Sequence, residues 1–166
     1  MMTTQQQEPF HSGEIYHLWM YLYYTKAYIV TLQVLGSHTG DHDLKTFLND
    51  LQESVYKEEE QQVEAILKQT GIRLPPAPPD RPNVELQDIP AGGRFNELEI
   101  TIIVQKEFIY RKETCSYMMG ITFQEDIQAL FSDFHTTQAD YETKLKHIAK
   151  QKGWLTPPPI NVKSST

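Results

Sequence analysis

The residues best suited to chemistry are few. Glu14 and His17 form a Glu-x-x-His pair, Glu58 and Gln62 stand about one helical turn apart, and Lys112, Cys115, His38, His42 and His147 complete the candidates. A carboxylate and an imidazole three residues apart on a helix present both groups to one side, the arrangement by which helical bundles hold iron or manganese. A complete dimetal centre needs a Glu from each of two helices and a Glu-x-x-His pair from each of the other two, and this chain supplies only the pair at Glu14 and His17. Glu14, His17 and Glu58, with Gln62 or Cys115 beside them, are therefore the candidate metal ligands. The competing assignment needs no cofactor: Glu58 pairs with Lys112 in the core and Gln62 completes the hydrogen bonds. His38, His42 and His147 read as imidazoles near one end of the molecule, and Cys115, with no motif around it, as a small apolar core residue. No Gly-rich phosphate loop, Gly-x-Ser-x-Gly elbow or His-Glu-x-x-His motif is present, which removes most common enzyme classes.

Positioning any of these groups requires a core, and 166 residues suffice for one domain. With 15 Lys and Arg against 22 Asp and Glu the net charge is −7, and no basic stripe offsets it, which counts against nucleic acid or an anionic membrane as partner. A lone cysteine excludes a disulfide framework within the chain and any multi-Cys zinc site. Residues 1–10 carry Glu8 and no basic residue, so no signal-peptide n-region is expected and synthesis in the cytoplasm follows.

The ten prolines fall at Pro9, in the cluster Pro75 to Pro90, and at Pro157 to Pro159. An interior proline removes a helix hydrogen bond, so helices are confined to the two intervening stretches. Glycines then mark the ends and predict helices over about 13–37, 41–70, 95–119 and 123–152, with Asp41 and Asp43 as candidate N-caps of the second and Thr122 with Glu125 as a capping box for the fourth. The second helix carries an apolar stripe through Leu44, Leu48, Leu51, Val55 and Ile66, with Glu58 and Gln62 on its centre line. The first helix differs: Trp19 and tyrosines at 16, 21, 23, 24 and 28 decorate several faces, while Lys26 and Gln33 oppose a membrane span. It is expected to be covered nearly all round, by its neighbours and by a second subunit.

Two antiparallel hairpins follow from the short turns near residues 39 and 121, joined by the Pro-rich connection 71–94. Extended, that connection reaches about 79 Å, against about 45 Å for a 30-residue helix. It can cross the whole bundle and set the second and third helices parallel, as in ferritin-like proteins.

The chain resembles a family at several points in order: Gly13-Glu14-Ile15 with Leu18-Trp19, Asp43, Ile72-x-Leu74-Pro75, Ile89-Pro90, Arg94-Phe95, Asp126-Ile127, and Lys152-Gly153-Trp154-Leu155 with Pro157-Pro158. These are similar to an uncharacterised ferritin-like helical-bundle family of endospore-forming bacteria, often labelled "putative spore coat protein" by similarity to spore coat protein F. The resemblance spans about residues 13–160 and implies the fold and a spore setting, but neither a reaction nor a ligand set. The expectation is an all-α, ferritin-like four-helix bundle over residues 13–155, with tails 1–12 and 156–166. It is a non-catalytic structural or interaction protein, a homodimer through residues 13–37 and a component of the spore coat beside other coat proteins. The alternative is an iron- or manganese-binding oxidoreductase or storage-type protein.

Overall fold

Helices form where proline is absent, and caps set their ends. In the computed structural model, which describes residues 8–161, α1 spans Ser12–Ser37, α2 His42–Asp50, α3 Lys57–Gln69, α4 Glu97–Ile121 and α5 Glu125–Lys152. A π-helical turn, Leu51–Tyr56, joins α2 to α3, so these three pieces make one rod and the molecule is an all-α bundle of four rods. The expected tails 1–12 and 156–166 fall in part outside the described residues. None of the described helices is long and apolar enough to cross a membrane.

Capping is specific. His11 and Glu14 cap α1 reciprocally, the Glu14 N–H donating to His11 Nδ1 at 3.1 Å and the His11 N–H to Glu14 Oε2 at 2.9 Å. Asp41 caps α2 as expected, through the Leu44 N–H at 3.0 Å, and Asn96 with Glu99 caps α4. The capping box expected at Thr122 is absent; the Thr122 hydroxyl accepts from the Gln124 N–H and donates to Glu14, tying the α4–α5 turn to the start of α1. Gly153 ends α5 with φ of 74°, where a Cβ would strain the backbone.

The core divides into two apolar clusters. One gathers Ile29, Leu32, Leu44, Leu51, Val104, Phe108 and Leu145; the other gathers Leu18, Leu22, Val63, Leu67, Met118, Ile127 and Phe131. On every rod a buried polar residue lies in sequence between the two: Thr25 on α1, Glu59 on α3, Arg111 on α4 and Gln138 on α5. The apolar pattern therefore positions a polar layer across the middle of the bundle.

The Pro-rich segment is hydrogen-bonded to α1 at successive levels. Trp19 Nε1 donates to the Arg73 carbonyl at 2.9 Å, Lys26 Nζ to the Pro75 carbonyl at 3.1 Å, and Gln33 binds both Asp80 and the Arg81 N–H. The Phe95 N–H donates to His38 Nδ1 at 3.0 Å, at the opposite end of α1.

Candidate functional site

Among the described residues the structure does not gather Glu14, His17 and Glu58 into one metal-binding group. The Glu14 carboxylate is buried at the end of the bundle, where it accepts from the Thr122 hydroxyl at 2.7 Å, the Phe123 N–H at 2.9 Å and the His11 N–H. Burial alone would raise its pKa, but these hydrogen bonds outweigh that and hold it below the usual 4.5. Both oxygens are committed to closing the fold. His17 sits edge-on between the rings of Tyr16 and Tyr117, with centroids 5.1 and 4.9 Å away.

Glu58 and Gln62 are not core residues. Glu58 is exposed and accepts from Gln62 Nε2 at 2.9 Å, on the outer side of α3. The expected Glu58–Lys112 pair is likewise replaced: Lys112 pairs with Glu142, which also holds Lys146 at 3.2 Å. The cause is the π turn. Its wider loop holds one residue more than the α-helical period allows, so every later core position shifts by one. The buried sequence runs Val55, Glu59, Val63, Leu67 rather than through 58, 62 and 66.

Glu59 meets partners from two other rods. Its two oxygens accept from the Tyr21 hydroxyl and from Gln138 Nε2, each at 2.7 Å, while the Tyr56 hydroxyl donates to Gln138 Oε1 at 3.0 Å. Arg111, fully buried, supplies the positive charge of the layer. Its Nε donates to Glu107 at 2.8 Å and its Nη1 to the Thr25 hydroxyl at 2.6 Å, an oxygen free to accept because its own proton goes to the Tyr21 carbonyl. The guanidinium carbon lies 4.8 Å from the Tyr21 ring centroid and 5.1 Å from that of Tyr56, within cation–π range. Burial raises the Glu59 pKa, and the Arg111 charge and the two hydrogen bonds only partly restrain it. Burial likewise pushes the phenols of Tyr21 and Tyr56 well above 10.0, so both remain neutral donors.

This constellation does not fit iron or manganese. A cation would displace both hydrogen bonds of Glu59 and enter the field of Arg111, and neither Gln138 nor Tyr56 offers the anionic oxygen such metals select. Among the described residues no three His, Cys, Asp or Glu side chains form a cluster able to hold a metal. Beside the layer, burial and the Glu59 charge push the Cys115 thiol up to about 12, which disfavours its thiolate. What the arrangement does is fix register, since each rod must present its own polar group at one level for the network to close.

Sequence reasoning missed Arg111, Glu59 and Gln138. Two of them carried a signal. The α4 stripe Val104, Phe108, Cys115, Met118 leaves a vacancy at 111, and the α5 stripe Phe131, Phe134, Leu145 leaves one at 138. A polar residue filling a vacancy in an apolar stripe is a buried polar group.

The fold and this layer define a class: a four-rod helical bundle whose centre is spanned by an arginine-anchored hydrogen-bond network. The chain belongs to the family described as "Protein of unknown function (DUF3231)", whose family model matches residues 1–166. It is 40% identical over 157 residues to the protein named "Uncharacterized protein YvdQ" of Bacillus subtilis strain 168, covering 95% of this chain and 92% of that one. It also superimposes on the crystal structure of a "putative spore coat protein" from Bacillus halodurans C-125 with a TM-score of 0.91 and 38% identity, over 95% of this chain and 99% of the other. The resemblance read from the residues is borne out by these relatives.

Proposed function

We propose that this chain is a non-catalytic structural and interaction protein of the spore coat, with ferritin-like topology, made in the cytoplasm and assembled with other coat proteins. The observation that carries the reading is the Arg111 guanidinium, buried at the level where a metal-binding bundle would place its ions. The name of the Bacillus halodurans relative supports the coat setting. Contacts from Arg73 with Trp19 near one end of α1 to Phe95 with His38 at the other support a crossover by the 71–94 segment that sets the second and third rods parallel, within one domain of residues 13–155.

The same reading makes the protein a homodimer through α1. Tyr16, Tyr23 and Tyr24 remain exposed there, with Tyr110 and Tyr117 of α4 alongside. Aromatic side chains of this kind are the usual anchors of protein interfaces. Two measurements test the proposal. Tagged protein expressed during sporulation should fractionate with the extracted coat, and sedimentation at micromolar concentration should give a dimer that Tyr23→Glu dissociates. Recovery only in the spore core or mother-cell cytosol would overturn the coat role, and a monomer would overturn the α1 interface.

A further inference from the structure

Along one side of the second rod His42, Lys45, Asn49 and Gln52 recur at helical spacing, and all four line a hollow of about 550 Å³. Across from them α1 contributes Gln33 and Gly36, and the Pro-rich segment contributes Arg81. No Asp or Glu lines the hollow, although the chain carries a net charge of −7. The carboxylates adjacent in sequence to its lining already have partners: Asp41 and Asp43 hold Lys152, Asp50 accepts from Tyr141, Glu53 holds Lys57, and Asp80 accepts from Gln33. Lys45 and Arg81, by contrast, pair with no described carboxylate.

Arg81 is held in place by its backbone. Gln33 Oε1 accepts from the Arg81 N–H at 2.8 Å while Gln33 Nε2 donates to Asp80 at 2.9 Å, which clamps the segment to α1 beside the hollow. One guanidinium N–H goes to the Pro79 carbonyl at 3.2 Å, and the others have no described acceptor. Gln52 lies in the π turn, a feature frequent at functional sites, and is 9% exposed. Its side chain makes one hydrogen bond, from Nε2 to Glu53 at 3.4 Å; its oxygen accepts from no described residue and is not sealed from water.

We infer that this hollow binds a sugar phosphate, with Lys45 and Arg81 taking the phosphate, His42 giving a further ring N–H, and the Asn49 and Gln52 amides taking hydroxyls. An arginine forks onto two oxygens of one phosphate and a lysine adds a point charge, so the pair suits a compact dianion. A primary amide both donates and accepts, as a hydroxyl requires. The volume lies within the range of roughly 300–1,000 Å³ common for small-molecule sites. Tyr16, Tyr23 and Tyr24 line none of it, so the site is separate from the proposed dimer face and does not rest on it.

The test is isothermal titration calorimetry of the full chain with glucose 6-phosphate at low ionic strength. Saturable binding is expected, weakened at least about ten-fold by Lys45→Gln and by Arg81→Gln. Both side chains are exposed and without an ion-pair partner, so these variants should melt with the parent. Gly36→Leu is the blocking variant. A Cβ there meets no atom within 4 Å and the backbone is ordinary helix, so the side chain should abolish binding while thermal stability equals or exceeds that of the parent. Glucose should not bind, and inorganic phosphate should bind at least about ten-fold more weakly than the sugar phosphate. Absence of saturable binding, parent-like affinity in Lys45→Gln or Arg81→Gln, undiminished binding by Gly36→Leu, or glucose binding as tightly would each overturn the inference. Inorganic phosphate binding as tightly as glucose 6-phosphate would make the hollow a site for an adventitious ion only and overturn it as well.

Discussion

Replacing Arg111 with Met keeps an unbranched side chain in the core but removes its charge. The structure gives the losses: the hydrogen bonds to Glu107 and Thr25, the contacts with the Tyr21 and Tyr56 rings, and the positive charge that restrains the rise of the buried Glu59 pKa. Breaking a buried charged network at one partner costs about 3–5 kcal/mol, chiefly because the other charge stays buried without compensation. For a domain of this size about 1 kcal/mol corresponds to about 2–4 °C, so Tm should fall by about 6–20 °C. Urea unfolding followed by circular dichroism at 222 nm measures the change, with the slope m expected to stay constant. Adding Glu59→Gln removes the stranded carboxylate, so the double variant should be more stable than the sum of the singles predicts, by about 1–3 kcal/mol. An Arg111→Met protein within about 1 kcal/mol of the parent, or strict additivity in the double variant, would refute the claim that these charges hold the layer together.

Glu59 and Glu14 should respond to pH with opposite signs. The folded state raises the Glu59 pKa above its usual 4.5, so its contribution is fully present below 4.5 and is lost as pH rises through the raised value; relative to the parent, Glu59→Gln should gain stability over that rise in chemical denaturation at stepped pH. The amide introduced by this substitution can be accommodated if the Gln138 amide flips and the Tyr56 hydroxyl turns to accept, so the variant should fold. The Glu14 pKa is lowered, so its contribution is present above 4.5 and lost as pH falls through the lowered value. Glu14→Gln should cost about 1–3 kcal/mol at neutral pH and progressively less in acid, measured by the same denaturation series. Cys115, buried with its thiol pushed up to about 12, should resist a chromogenic disulfide reagent at pH 8 in the native protein and react at once in 6 M guanidinium; fast native labelling would contradict its burial.

The bundle was legible because its signals are local. Prolines excluded helices from the segment around Pro75 to Pro90, and Asp41 and Gly153 act as caps where the sequence placed them. The place of Glu59 in the central layer was not, and the reason lies at Leu51–Tyr56. A π turn has no composition that distinguishes it from α-helix, yet it advances the chain by one residue. Projection at a constant 100° per residue therefore turned Glu58 and Gln62 inward, whereas the chain turns Glu59 and Val63 inward. Glu14 was singled out as a candidate metal ligand, but a capping carboxylate and a metal-ligating one share the same spacing to the helix start; the Thr122 and Phe123 donors, over a hundred residues away in sequence, tell them apart.

Elemental mass spectrometry tests the central claim most directly, on tag-free protein purified without chelator from cells grown with added iron, manganese and zinc. A bundle centred on Arg111 predicts iron and manganese at background level, unchanged by Glu59→Gln. Near-stoichiometric iron or manganese that Glu59→Gln removes would contradict the account and make the polar layer a metal site.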